Sequence, residues 1–358
     1  MRKPLKIGPF ELALPAIQAG LAGYSDMAMR VTARRRGCPY AVTEALLDRV
    51  MLAGGKAREK GLILHDEDHP VAGQLLGSEA DEMAAAARLL VEYGFDTVDL
   101  NFACPVKKVM GRCRGGYLLS DPAQAKAIMQ AVRDAVSVPI TMKLRRGLDG
   151  SALAAERFEQ IFSHATELNF AAVAVHGRTV EQKYTGRADW DFLAGLKQHH
   201  PAMTILGSGD VFCAGDAMGM LGKTNLDGVW IARGAIGNPW IFSEFAALLD
   251  GKPLPPAPTI FEQRAALLEH FMLAVEIYGE ALASRQMRKI GIKYSRLHPE
   301  GARVWQDFIA VKNQREWDRV LDVYYSADGP GRPQISVADA ADLYNGCQMD
   351  AARVPAEV

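Results

Sequence analysis

No pair of cysteines in this chain stands at metal-binding or redox spacing. Cys38, Cys104, Cys113, Cys213 and Cys347 are scattered, odd in number and free of any CxxC. Such a pattern suggests neither a disulfide framework nor a zinc site, and a reducing, cytoplasmic compartment suits it. No run of 18 apolar residues offers a membrane span. The opening segment, MRKPLKIGPFELALP, has early basic side chains but no long apolar core, so it does not read as a signal peptide. Charge of one sign is missing too: 41 Lys and Arg stand against 42 Asp and Glu, a formal net charge of −1. No overall field draws nucleic acid to the molecule, and any nucleic-acid site must be a local patch.

What is present is apolar content with a period. Hydrophobic residues make up 49% of 358 positions, ample for a large core. A (β/α)8 barrel takes about 250 residues, and the remainder suffices for one small further domain. Up to Leu249, short β-like apolar runs alternate with helical stretches. The runs lie at 12–17, 40–43, 71–76, 97–101, 140–144, 171–176, 203–206 and 228–232. Between them, a helix over 81–93 carries Met83, Ala86, Ala87 and Leu90 on one face, and one over 122–135 starts at an Asp121 cap with Pro122 first. Eight βα units with near-continuous apolar strands predict an α/β fold, a closed (β/α)8 TIM barrel over residues 1–250. A doubly wound sheet competes, but polar residues at almost every strand end favour the barrel. The run Gly251-Lys-Pro-Leu-Pro-Pro-Ala-Pro258 is stiff and extended and marks a linker over 251–258. Beyond it Leu267, Leu268, Phe271, Ala274 and Val275 recur at helix spacing, which predicts a small all-helical domain over 259–345. A Gly-Pro-Gly turn, a short helix over 337–344 and a tail over 346–358 complete the reading.

In a barrel, functional groups stand at the carboxyl ends of the strands. The first strand runs into Gln18-Ala-Gly-Leu-Ala-Gly-Tyr-Ser-Asp26. Its small residues let the backbone around Leu21 and Ala22 approach a flat ligand; alternatively the segment is a helix entry capped by Ser25 or Asp26. The second strand ends at Thr43-Glu44, a carboxylate suited to a substrate N–H or to capping the next helix. Gln74 lies in an apolar run, where a buried amide needs a partner, either a heterocycle edge or a neighbouring strand. The fourth strand ends in Asp99-Leu-Asn101-Phe-Ala-Cys104-Pro105 and continues through Lys107, Lys108, Gly111, Cys113, Gly115 and Gly116. A thiol just beyond a strand end, pinned by proline, can serve as acid or nucleophile. The Lys- and Gly-rich continuation reads as a mobile basic loop over the site. Lys143 alternates with apolar neighbours and should point into the barrel, where an unpaired ammonium is costly. The N1–C2=O edge of a flavin, anionic when reduced, is a suitable partner. His176 on the adjacent strand reaches the same edge, or is a satisfied core residue. Gly207-Ser208-Gly209-Asp210 and Ala232-Arg233-Gly234 end strands seven and eight, where barrels commonly bind phosphate on backbone N–H groups. A flavin mononucleotide supplies both ring and phosphate.

Together these residues resemble the tRNA-dihydrouridine synthase family, nearest its bacterial B-type branch. The carriers are Ala22-Gly-Tyr-Ser-Asp26, Gln74, Asp99-Leu-Asn-Phe-Ala-Cys-Pro105 with Lys108-Val109, and Lys143-Leu-Arg145. They continue with His176-Gly-Arg178, Gly207-Ser-Gly-Asp210 and Ala232-Arg-Gly-Ala-Ile-Gly-Asn-Pro-Trp-Ile-Phe242. The resemblance implies FMN as cofactor, NADPH as reductant and tRNA as substrate. It implies that Cys104 protonates uracil C5 as hydride from flavin N5 reaches C6. Leu21, Ala22, Gln74, Lys143 and His176 would line or hold the ring, and Ser208, Gly209, Asp210, Ala232 and Arg233 would surround the phosphate. Asn101, Arg178 and Glu44 would place the uracil. The chain departs from the family pattern at Gly20, where Pro is usual, at Ala103 and Ala232, where Gly is usual, and at Ser208, where Asn is usual.

Between Ser284 and Arg303 six basic residues stand against one acidic residue, Glu300. Arg285, Lys289, Lys293 and Arg296 follow helix spacing and should share a face. Such a stripe is either an ordinary solvated face or the footprint of an RNA backbone. The family has its RNA-binding helical domain here, so the resemblance implies the second. Reducing a uracil requires taking the base out of its stack, and the loop over 107–114, Lys108 included, would grip the flanking backbone with the stripe. Two other readings remain: an FMN barrel acting on a small pyrimidine, which needs neither stripe nor basic loop, and an RNA-binding relative without catalysis, against which Cys104, Lys143 and His176 stand together. No protein partner is implied.

Overall fold

The computed structural model of the chain describes residues 4–334. It opens with an antiparallel hairpin, β1 (Leu5–Ile7) and β2 (Phe10–Leu12). There follow β3 (Ala16–Gln18), β4 (Ala41–Val42), β5 (Leu46–Leu47), β6 (Val71–Leu76), β7 (Thr97–Phe102), β8 (Ile140–Arg145), β9 (Ala172–His176), β10 (Ile205–Ser208) and β11 (Gly228–Ile231). Pairing runs parallel from β3 to β4, β6 and onward to β11, and β11 returns to β3. The ring of eight is closed, a (β/α)8 barrel with helices outside. The helices form where the sequence signals them. Ala80–Glu92 buries Met83, Ala86, Ala87 and Leu90, and Asp121 accepts from Gln124 N at 3.0 Å to cap Pro122–Ala135.

The strand expected over 12–17 is divided. Leu12 belongs to the hairpin and only Ala16–Gln18 joins the ring, because Pro15 between them has no N–H for a ladder bond. The hairpin closes the amino end of the barrel, with Leu5, Ile7 and Leu12 packed on Ile17, Leu206 and Trp230. The seventh strand lies at Ile205–Ser208, two residues beyond the expected 203–206. β5 was not foreseen. It pairs with β6 out of step with β4: Val42 faces Ala72 and Leu46 faces Leu75, so three residues oppose two. This bulge, at the carboxyl end of the barrel, carries Glu44.

Side chains alternate inward and outward along each strand. The lower interior is apolar, built from Ile17, Val42, Ala72, Ala174, Leu206 and Trp230. One pleat higher, the same inward rows carry Gln74, Asp99, Asn101, Thr141, Lys143, His176 and Ser208. That polar layer is the floor of the candidate site.

Past the proline-rich 251–258 stretch the chain is helical: Ile260–Tyr278, Glu280–Tyr294, Gly301–Ala310 and Gln314–Tyr324. A reciprocal cap between Thr259 and Glu262 starts the first of these. Trp317 packs between Phe271 and Phe308, with ring centroids 5.3 and 5.1 Å away. The helices dock on the barrel. Arg36 pairs with Glu269 at 2.9 Å, and Tyr278 OH donates to Asp26 Oδ2 at 2.8 Å. The helix expected over 337–344, the tail and Cys347 lie outside the described residues. Among those described, no helix is long and apolar enough to cross a membrane.

Candidate functional site

The polar layer is one connected network. Asp99, fully buried, accepts from Thr141 Oγ1 at 2.5 Å on one oxygen and from Gln74 Nε2 at 2.8 Å on the other. Gln74 Oε1 accepts from Asn101 Nδ2 at 2.8 Å, and Asn101 Oδ1 accepts the N–H groups of Ala103 and Cys104, each at 3.1 Å. An ionised carboxylate only accepts, so it fixes the orientation of Gln74 and, through it, of Asn101. Burial raises Asp99 to about 6, against the hydrogen bonds from Thr141 and Gln74 and the pull of Lys143.

Lys143 stands beside Asn101 in the sheet. Its Nζ donates to Leu144 O at 3.0 Å and makes no ion pair with a carboxylate among the described residues. Burial drives its pKa well below the usual value; Arg145 pushes the same way and Asp99 opposes. A buried lysine left so is suited to the anionic edge of a flat heterocycle, which would favour its charged form. His176 is half-buried. Its Nδ1 lies 3.4 Å from Ser208 Oγ and its Nε2 3.5 Å from Arg178 Nη1. Burial, then the cations Lys143, Arg145, Arg178 and Arg233, hold the ring well below its usual range and therefore neutral.

Cys104 follows directly. Burial raises its thiol above the ordinary range, against the Val106 N–H and Arg145. It stays protonated at neutral pH and has a proton to give. The segment is held from two sides: Arg145 Nε donates to Ala103 O at 3.0 Å, and Gly116 N–H to Cys104 O at 3.0 Å. Gly115, at φ +60, lies so close that an added Cβ would come 2.8 Å from Cys104 Cβ. The stretch expected to be a mobile basic loop is built differently. Lys107–Met110 forms a helical turn, and Arg114, 6% exposed, faces Asp48 at 3.6 Å. Lys107 and Lys108 are exposed.

At the other end, Gly209 (φ +116) and Asp210 (φ +57) form a tight turn after β10. Their N–H groups donate to no protein acceptor among the described residues, which makes an anion cradle of the kind a phosphate fits. Ala232 opens the neighbouring turn at Arg233–Ala235, and the Arg233 guanidinium lies 4.8 Å from the Tyr184 ring centroid and 4.7 Å from that of Phe212. The Asp210 carboxylate is not free: both oxygens take Arg178 Nη2 at 2.7 Å, and Oδ2 also takes Ala188 N–H at 2.7 Å. Arg178, 3% exposed, donates as well to Thr185 O and Gly186 O. These bonds use Nε and Nη2 of Arg178 to brace the loop after β9, while Nη1 lies 3.5 Å from His176 Nε2.

At the rim, Leu21 is half-buried with its N–H on Ser25 Oγ at 2.6 Å, and Ala22 is exposed. Glu44 is raised by burial and by Asp26, while the Gly23 N–H and Lys289 draw it down. Lys289 comes from the C-terminal helices. Its Nζ lies 5.5 Å from the Tyr24 ring centroid and 3.0 Å from Gln286 Oε1. The expected basic stripe is not one solvated face. Arg285 is exposed, Lys289 turns onto Tyr24, Lys293 is 9% exposed and Arg296 is half-buried. The reason is packing: Gly237 (φ +72) approaches this helix so closely that a Cβ would lie 2.5 Å from the Lys293 carbonyl carbon.

Sequence reasoning missed Asp99 and Thr141, although alternation with Asn101 and Lys143 marks both as inward. It missed Tyr184, whose ring lies between Arg145 (5.7 Å) and Arg233 (4.8 Å). Tyr184 sits in an irregular loop, where no period could have flagged it.

Residues 17–327 match the family model described as dihydrouridine synthase (Dus). A probable tRNA-dihydrouridine synthase of Mycobacterium tuberculosis (strain CDC 1551 / Oshkosh) is 34% identical over 373 residues, covering 98% of this chain and 90% of its own length. A tRNA-dihydrouridine synthase B of Xanthomonas axonopodis pv. citri (strain 306) is 35% identical over 318 residues, covering 87% and 92%. Among solved structures, a 2-naphthoyl-CoA reductase in complex with 2-naphthoyl-CoA superposes with TM-score 0.54 at 13% identity over 70% of this chain. This chain spans about half of that one, 52%, and the likeness is one of fold alone.

Proposed function

The chain belongs to the dihydrouridine synthase family, and on that premise we propose that it reduces uridine in tRNA to 5,6-dihydrouridine, with FMN as cofactor and NADPH as reductant. The observation that carries this reading is a connected polar layer in which Asn101, whose Oδ1 holds the Cys104 N–H at 3.1 Å, stands beside Lys143, whose Nζ meets no carboxylate among the described residues. FMN, when bound and reduced, would supply hydride chemistry to the uracil at this site. Lys143, His176 and Gln74 would hold the ring, and Leu21 and Ala22 would border it. Gly209, Asp210 and Arg233 would hold the phosphate with backbone N–H groups and one guanidinium, and Ser208 and Ala232 would shape the turns.

Cys104 gives its proton to uracil C5, and water then reprotonates the thiolate. The C5=C6 bond thus gains one hydride and one proton. Asn101 acts by fixing the Cys104 backbone. Arg178 acts by bracing the loop after β9. Glu44 and Lys289 stand where the unstacked base enters, and Lys108 and Arg285 meet the RNA backbone. Lys293 supports the contact between helices and barrel. We assign the protein to the cytoplasm, with its tRNA.

The test is an anaerobic absorbance titration. NADPH should bleach the bound flavin, and tRNA lacking dihydrouridine should restore its colour, whereas a small pyrimidine should not. Recovery with the small pyrimidine alone moves the assignment to small-molecule reduction. Absence of bound flavin removes the reading altogether.

A further inference from the structure

A cavity of about 510 Å³ opens at the same end of the barrel as Cys104, outside the polar layer. Its volume falls within the range of about 300–1,000 Å³ typical of ligand sites. Leu47, Arg49 and Val50 line one wall, from β5 and the helix that follows it. Arg112, Cys113 and Arg114 line the other, from the segment after β7.

The polar lining is mostly cationic: three guanidinium groups stand against one carboxylate, Glu79. Arg49 is shared with Glu82 at 2.7 Å, on the exposed surface. Arg112 is exposed, and no acceptor takes its guanidinium among the described residues. Arg114 is nine-tenths buried, yet its Nε has no hydrogen-bond partner and its nearest carboxylate, Asp48, is 3.6 Å away. A planar guanidinium fork matches phosphate oxygens in geometry as well as charge. Leu47 and Val50 add apolar surface of the kind a ribose or base face covers.

The location selects the ligand. The 113–116 segment ties this cavity wall to the acid: Gly116 N–H holds Cys104 O at 3.0 Å, and a Cβ added at Gly115 would lie 2.8 Å from Cys104 Cβ. A strand of RNA that delivers one base to Cys104 must lay its neighbouring nucleotides along this rim. We propose that the cavity receives a nucleotide adjacent to the uridine that is reduced, with Arg112 and Arg49 on its phosphodiester and Leu47 and Val50 against its sugar or base. The proposal rests on the tRNA reading above.

Cys113 supplies a built-in probe, because its thiol is exposed in the cavity wall. The intact flavin-loaded protein is alkylated with iodoacetamide, and labelling at Cys113 is followed by peptide mass spectrometry. Saturating unmodified tRNA should slow Cys113 labelling about tenfold, while inorganic phosphate and uridine monophosphate at matched phosphate concentration should not. Arg112→Gln should weaken tRNA binding about tenfold and reduce the salt slope by about one. Bound tRNA with unchanged Cys113 labelling, or Arg112→Gln with unaltered affinity and slope, overturns this inference and leaves the functional reading intact. Equal protection by phosphate or the mononucleotide overturns it in favour of a free-anion site. No tRNA binding by wild-type protein overturns the functional reading itself, and this inference with it.

Discussion

Cys104 and Cys113 lie in one loop and answer to different physics. Burial keeps Cys104 protonated, while Cys113 is open to solvent. Cys104→Ala should lower uridine reduction by about 10²–10⁴-fold, the usual worth of a positioned acid, with NADPH still bleaching the flavin. Full turnover in that variant would remove the acid role. Because the thiol is held above the free value of about 8.5, the rate of flavin reoxidation by tRNA should stay level up to that pH and decline only beyond it. A decline beginning near neutrality would contradict the assignment. Lys143 makes the opposite kind of prediction, on stability without cofactor. Its folded pKa is depressed below the unfolded one, so between the two values the unfolded chain binds more protons and stability rises with pH. Asp99 has the reverse slope lower down: from 3.8 to about 6 the folded chain binds more protons, and stability falls as pH rises. Lys143→Met should abolish the alkaline gain in the flavin-free protein and cut FMN affinity at least about tenfold, the loss of one charged partner. Thermal melts across pH and flavin titrations read the two effects separately.

At the scale of elements, legibility followed how locally each feature is determined. β6 could be read from residues 71–76 because its own apolar run spans the strand, and the 122–135 helix because Asp121 and Pro122 announce its start. β3 was placed too early because Leu12 and Ala16 look continuous until Pro15 is weighed as a missing donor. β5 has two residues, too few to show a period. The bulge under Glu44 exists only as a register mismatch against β6, and the Arg178–Asp210 pair joins residues 32 apart. Likewise nothing in the spacing of Lys289 and Lys293 tells that Lys289 turns onto Tyr24 in the loop after β3 while Lys293 is covered by the loop after β11. The Lys293 contact rests on Gly237, whose positive φ and close approach both exclude a side chain. Gly237→Ala should cost about 1–3 kcal/mol or more, combining backbone strain with displaced neighbours. Gly251→Ala is the matched control, since its φ is +70 but nothing lies within 4 Å of the added Cβ. It should cost about 1 kcal/mol, from strain alone. Equal losses in urea unfolding would show that the Lys293 contact adds nothing.

Across the whole molecule, a net charge of −1 and an RNA substrate are reconciled only if the cations are local. Affinity for tRNA should then fall steeply with salt despite the near-neutral total, because each neutralised phosphate releases counterions. A flat salt response would count against any backbone grip by Lys107, Lys108, Arg112 and Arg285. The C-terminal helices bring Lys289 to the barrel mouth at Tyr24, and their orientation depends on few polar ties. One is Tyr278 OH to Asp26 Oδ2 at 2.8 Å, beside the loop that contacts Lys289 and Glu44. A hydrogen bond to a charged group is worth about 1.5–3 kcal/mol. Tyr278→Phe removes it without changing shape and leaves Asp26 to bear more heavily on Glu44 and Lys289. If the docking of the helices positions the RNA, this variant should raise KM for tRNA several-fold while the rate of flavin bleaching by NADPH is unchanged, because the ring-holding layer is untouched. If the tie is only structural, the melting temperature should fall and KM should not move. A change in both substrates together would mean that the helices and the barrel floor are coupled more tightly than the Asp99–Gln74–Asn101 network, wholly within the barrel, implies.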